Sequence, residues 1–171
     1  MLFRSDFIIE NYTPAYIDDA IYFTQNGGIA AYVNGVGVEG GTGTIPPMQG
    51  FFVKASANSS VYLALDARTH NLDQFRYKKK STESHNSIAD TISIVRLRLL
   101  GVSDSAELAV RFNKRATYKV DRKYDAYEFS KSAGDLNIWT TIEEVAYSIN
   151  GLPFPETSIE VPVGVNLKIP G

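Results

Sequence analysis

The apolar residues of this chain fall in short runs that alternate with period two, each bounded by a turn signal, and never in a stripe of helical spacing. That pattern restricts the fold to strands, because side chains on a strand point alternately to opposite faces. In Ser60-Val61-Tyr62-Leu63-Ala64-Leu65, residues Val61, Leu63 and Leu65 share one face. Ala106 to Phe112 places Leu108, Val110 and Phe112 inward, with Glu107 and Arg111 outward. Thr91 to Leu100 starts with Ile92 and Ile94 in phase, then shifts so that Val95, Leu97 and Leu99 align opposite Arg96 and Arg98. A one-residue bulge in one long strand produces such a shift. Further strands are expected at Ala20 to Thr24, Ile29 to Val33, Phe51 to Ala55, Phe75 to Lys78, Ala126 to Phe129, Ile138 to Ile142, Val145 to Ile149 and Val165 to Ile169.

The residues between the runs are those that hairpins use, as at Asn26-Gly27-Gly28 and Asn34-Gly35. Gly35 to Pro47 reads as a glycine-rich loop, and about 78–90 as a flexible one, where Lys-Lys-Lys-Ser-Thr-Glu-Ser-His-Asn carries no apolar residue. Many short strands joined in this way point to an all-β, antiparallel β-sandwich of jelly-roll-like form with little helix. With 171 residues the chain is expected to form a single domain over 1–171.

Composition narrows function mainly by exclusion. There is no Cys, hence no disulfide framework and no thiolate nucleophile or ligand, and the two His, His70 and His85, are too few for an imidazole cage. No run reaches the roughly 18 apolar residues of a membrane-spanning helix, so membrane insertion is not expected, and the start of the chain lacks the apolar run of a signal peptide. Charge is uneven: residues 1–67 carry −4, residues 68–123 carry +7 and residues 124–171 carry −5. The basic third interleaves Arg and Lys with Phe75, Tyr77, Phe112 and Tyr118, but the net charge of −2 argues for solvated strand faces rather than a nucleic-acid surface.

The chemical motifs are sparse. Gly35-Val-Gly37-Val-Glu-Gly40 has the letters of a dinucleotide loop, yet Gly41-Thr-Gly-Thr-Ile-Pro-Pro follows and cannot open the helix such a loop needs. The available carboxylate pairs are Asp18-Asp19, Glu143-Glu144 and Asp121 with Asp125. Neighbours on a strand point apart, and Arg122 and Lys123 are expected to hold Asp121 and Asp125 ionised, so no catalytic residue is assigned and an enzyme is not expected. Asp121 and Asp125 are weak candidates for holding Ca²⁺ together with backbone carbonyls; no other cofactor is expected. His70 reads as a packed loop-edge residue and His85 as a solvated one. Trp139 fits the core better than a surface, although Trp139, Tyr22 and Tyr32 are the aromatics that would stack on sugar rings if exposed.

One segment is more specific. Thr44-Ile45-Pro46-Pro47-Met48-Gln49-Gly50-Phe51-Phe52-Val53-Lys54-Ala55 resembles the Pro-Met-Gln-Ala/Gly-Phe-Phe-Val-Lys segment of large secreted and surface proteins of Bacteroidetes, often near a C-terminal type IX secretion sorting domain. The likeness extends upstream through Ile17-Asp18-Asp19-Ala20-Ile21-Tyr22-Phe23 and Ala31-Tyr32-Val33-Asn34-Gly35-Val36-Gly37. Downstream it runs through Ala67-Arg68-Thr69-His70, Asp121 to Tyr127, Ile138-Trp139-Thr140 and Ala146 to Pro153. The resemblance implies a β-rich module of an extracellular or cell-surface protein, with neighbouring domains of a larger protein as its partners and no catalytic residues to carry over. Relative to such proteins the chain is expected to be truncated at both ends. Asp90-Thr91-Ile92 and Asp104-Ser105-Ala106 resemble their O-glycosylation acceptor pattern.

Physically, Pro46-Pro47 would form an extended lead-in to a strand at Gly50 to Ala55, with Phe51 and Val53 facing the core and Phe52 the opposite side. Two readings follow: a non-catalytic structural or adhesion-associated module, and a carbohydrate-binding module that uses exposed aromatics on glycans.

Overall fold

The computed structural model describes residues 2–4, 16–25, 28–61, 68–69, 93–102, 104–129 and 136–167. Among these residues there is no helix. The strands are β1 (Leu2–Arg4), β2 (Ile17–Gln25), β3 (Gly28–Val33), β4 (Val36–Val38), β5 (Thr44–Ile45), β6 (Phe52–Ala55) and β7 (Arg68–Thr69). They continue with β8 (Ser93–Leu100), β9 (Ser105–Phe112), β10 (Ala126–Tyr127), β11 (Asn137–Ile142), β12 (Val145–Leu152) and β13 (Val163–Asn166).

The all-β class is that expected, and the strands form three sheets. One has the order β4-β3-β2-β6, the largest runs β13-β11-β12-β9-β8 with β10 also paired to β12, and a small one is β5-β1-β7. Every pair is antiparallel except β12 with β9, where Ile149 lies opposite Ala109 and Leu152 opposite Phe112 in parallel register. The long connection between those strands, which holds β10 and β11, is what a parallel return needs.

The two larger sheets pack in a sandwich-like way. Ala20, Tyr22, Ala31, Val33, Val36 and Val38 of the four-stranded sheet meet Ala109, Ala126 and Ile149 of the six-stranded one. Four alanines in this seam make room for the buried ring of Tyr22, and Tyr127 and Phe129 also pack against the cluster from the rim. On the reverse side of the four-stranded sheet, Ile21, Phe23 and Ala30 pack with Ile45, and Phe51 and Val53 lie against them. Both faces of β2 are therefore covered. Phe52 points the other way, as expected, and stacks on Tyr22 at 5.5 Å.

Turn chemistry fixes the registers. Asn34 (φ 44°) and Gly35 (φ 88°) join Val33 to its partner Val36 in a two-residue hairpin. Both central residues are left-handed, as the turn that matches strand twist requires. Gly35 to Pro47 is more ordered than a loop, since it contains β4 and β5. Its glycines serve close approach: a Cβ on Gly37 would lie 1.9 Å from the Gly41 carbonyl oxygen, and one on Gly41 2.0 Å from that of Ala31.

Three local expectations are corrected. Ser93–Leu100 pairs residue for residue with β9 and contains no bulge; Thr91 and Ile92 lie outside the described residues. The apparent phase shift arises because β8 is an edge strand with apolar residues on both faces. Pro46-Pro47 is not an extended lead-in but half of a turn, closed by Gln49 N–H donating to the Pro46 carbonyl at 3.2 Å with Met48 left-handed at φ 62°. Arg111 does not point outward to solvent: it is 2% exposed. The expected strand at Phe75 to Lys78, residues 62–65 of the run at Ser60 to Leu65, and the segment 78–90 lie outside the described residues.

Candidate functional site

The densest group of buried polar side chains lies where the turn 121–125 closes over the ends of β2, β3 and β9. Its sequence, Asp121-Arg122-Lys123-Tyr124-Asp125, folds on itself because Asp121 acts as a local acceptor. Its carbonyl takes the N–H of Tyr124 at 3.0 Å and of Asp125 at 2.9 Å, and its Oδ1 takes the N–H of Lys123 at 3.0 Å. Aspartate favours such turns because its short side chain reaches the backbone two residues on.

Asp125 is buried within this turn. Its Oδ2 accepts the Asp121 N–H at 2.5 Å, and its Oδ1 accepts the Gly151 N–H at 2.7 Å, joining the turn to β12. Gly151 is small for a reason: a Cβ there would stand 2.4 Å from the Tyr124 Cβ. Burial pushes the Asp125 carboxyl up to about 7, against the two amides and Arg111, which favour the charged form.

Arg111 reaches this region from β9. Its Nη1 donates to the carbonyls of Asn34 at 2.9 Å and Val33 at 3.4 Å, and its guanidinium lies 4.9 Å from the centre of the Tyr124 ring. Burial lowers its pKa from the usual guanidinium value. Asn34 Nδ2 donates to the Lys123 carbonyl at 2.6 Å and to Asp19 Oδ2 at 3.4 Å. Arg122 Nε donates to Asp18 Oδ1 at 2.7 Å, while Asp19 N–H donates to the Arg122 carbonyl at 2.9 Å. The turn is thereby tied to β2, to the β3–β4 hairpin and to β12 at once.

Asp121 and Asp125 are thus brought together, but on backbone amides. The expectation that Arg122 and Lys123 hold both carboxylates ionised is corrected: Arg122 turns to Asp18, and Asp125 is raised by burial. As Ca²⁺ ligands the pair is poorly disposed, since both oxygens of Asp125 already accept N–H groups. Among the described residues there is no group of three or more His, Cys, Asp or Glu side chains that could hold a metal ion. Glu143 and Glu144 form the two-residue turn between β11 and β12, both left-handed at φ 48° and 68°.

The three candidate stacking aromatics do not form one row. Tyr22 is 0% exposed, so the expectation of an exposed ring is corrected there. Its ring also meets Phe129 edge-on at 4.6 Å, and its hydroxyl accepts the Tyr127 N–H at 2.8 Å. Burial raises its pKa above the ordinary tyrosine value. Tyr32 is half-buried on the reverse face of the same sheet, because it sits opposite Ile21 while Tyr22 sits opposite Ala31. It packs against Gly43, where a Cβ would lie 2.7 Å from its hydroxyl. Trp139 is half-buried on β11 and covers Gly164 of β13, where a Cβ would lie 2.4 Å from the indole. His70, His85, Phe75 and Tyr77 lie outside the described residues, as does Asp90-Thr91-Ile92.

The sequence singled out Asp18 only as half of a carboxylate pair, Asn34 only as a turn residue and Arg111 only as an outward strand residue, and it gave Gly151 no role of its own. The signal for Arg111 was its place in the middle of an apolar run, which reads as an outward position only if one face of the strand meets solvent. Here β9 is central and both its faces are covered.

The family model described as Domain of unknown function (DUF8693) matches residues 4–171. The chain belongs to that family. No curated protein and no solved structure matches it. The match takes in the turn 121–125 and every residue tied to it, so the polar group described above lies wholly within the DUF8693 region.

Proposed function

We propose that this chain is a non-catalytic structural or adhesion-associated module of an extracellular or cell-surface protein, working by spacing or presenting the neighbouring domains of that larger protein. The observation that carries this reading is how its buried polar groups are used. Asp125 takes two backbone amides, Arg111 two carbonyls, and Asp18 the guanidinium of Arg122. Each such group joins one element to another. A carboxylate doing acid–base chemistry needs an oxygen turned toward substrate, and Asp125 has both turned inward. The sequence likeness to secreted Bacteroidetes modules supports the extracellular placement.

Thermal melts of the chain with soluble polysaccharides and with Ca²⁺ test this. A ligand at 100 times its Kd adds about 2.7 kcal/mol of stability. The structural reading expects a cooperative melt unmoved by any of them. A rise with one glycan, lost on Trp139→Ala, would replace it with the carbohydrate-binding reading.

A further inference from the structure

We infer that β8 is a docking edge for a β-strand of a second polypeptide, one that alternates acidic and apolar residues. Among the described residues the strand is last in its sheet, paired on one side to β9. It spans 8 residues without a proline or bulge, and the charges that guard it against unselective pairing are two arginines, Arg96 and Arg98. Ile94 is 37%, Val95 51% and Leu97 38% exposed, so the strand offers apolar surface as well as backbone.

The direction of its backbone groups follows from β9. The Glu107 N–H donates to Glu39 Oε1 at 2.8 Å, which points it away from β8. Glu107 lies opposite Arg98, so this is a pair without mutual backbone hydrogen bonds, and bonding alternates along an antiparallel ladder. Val95, Leu97 and Leu99 therefore bond to β9. Ile94, Arg96, Arg98 and Leu100 turn their N–H and C=O groups to the open edge, where an added strand would take them.

The side chains select what can be added. Val95, Leu97 and Leu99 share one face with Leu108 and Ala106, while Arg96 and Arg98 share the other. Arg96 is held by Glu107 at 3.0 Å and by the Gly37 carbonyl at 2.8 Å. Arg98 makes no ion pair among the described residues. A second copy of β8 is a poor partner: the two longest antiparallel pairings that keep the faces matched put Arg96 opposite Arg96, or Arg96 opposite Arg98. Like charges directly opposite destabilise a strand pair. Carboxylates at alternate positions of the incoming strand would meet these guanidiniums, with apolar residues continuing the other face.

The test is hydrogen exchange on the full chain with a short peptide alternating valine and glutamate. We expect the amides of Ile94, Arg96 and Arg98 to exchange fast in the free chain and slowly with the peptide, while those of Val95 and Leu97 are protected throughout. A peptide with lysine for glutamate should bind about tenfold or more weakly to the unaltered chain, and Arg98→Glu should reverse that preference. Equal binding of both peptides, protection without the alternating pattern, or no binding of either would overturn the inference. So would a dimer of the chain alone that already protects Ile94, Arg96 and Arg98, since the second copy would then be the occupant.

Discussion

Asp125 shows how one buried carboxylate can hold a fold together and set its pH response. Its pKa is raised from 3.8 to about 7, chiefly by burial, so the folded chain binds that proton more tightly than the unfolded one. The resulting stabilisation is complete below the unfolded value and is lost as the pH rises through about 7. Urea unfolding between these limits should therefore show stability falling as pH rises. Asp125→Asn should flatten that slope and cost on the order of 2 kcal/mol, because an amide cannot accept both the Asp121 and Gly151 N–H groups. A slope unchanged in the variant would assign the titration elsewhere. The pair Asp121 and Asp125 was visible in the sequence, but its partners were not. Gly151, whose N–H Asp125 accepts, is distant in the chain, and no local rule announces a contact that the fold alone creates.

The strands were the legible part of the sequence. β2, β3, β6, β9, β11 and β12 all overlap expected runs, because short apolar runs bounded by turn residues mark a strand whether one face or both are covered. Alternation as a guide to faces misread β8, whose exposed edge carries apolar residues on both faces, and Arg111, whose strand is covered on both. Turns announced themselves when their residues suit left-handed backbone, as at Asn34-Gly35; the one at Glu143-Glu144 was marked only by the gap between the strands expected to end at Ile142 and begin at Val145. Glu143 and Glu144 form the equivalent turn, with Ile142 opposite Val145, out of residues poorly suited to it. A left-handed residue with a Cβ costs roughly 1–2 kcal/mol, less for asparagine and least for glycine. Replacing the pair by Glu143→Asn and Glu144→Gly should stabilise the chain by about 1 kcal/mol in denaturant melts. A loss of stability would mean that the two glutamates make contacts worth more than the turn strain.

At the scale of the molecule the decisive feature is the seam between the sheets, where Ala20, Ala31, Ala109 and Ala126 share one buried cluster with Tyr22. Sheet spacing is set by the side chains between the layers, and small residues opposite a large one allow interdigitation. The seam also joins segments far apart in sequence, so the four-stranded and six-stranded sheets should unfold together. Ala109 is fully buried at its centre, on the strand that also supplies Arg111. Ala109→Leu has no space to enter and must part the sheets or displace Tyr22, which loosens the Tyr127 N–H at the same time. Overpacking of this kind costs about 1–3 kcal/mol, or several degrees in Tm for a chain of this size. Ala55→Leu, at an exposed position on β6, is the control and should leave Tm within about a degree, as surface substitutions do. Calorimetry distinguishes the cases. One transition, lowered by Ala109→Leu alone, means that the two sheets are a single cooperative unit built on this seam. Two transitions, with only one of them moved, would mean that each sheet folds on its own and that the alanines merely fill space between them.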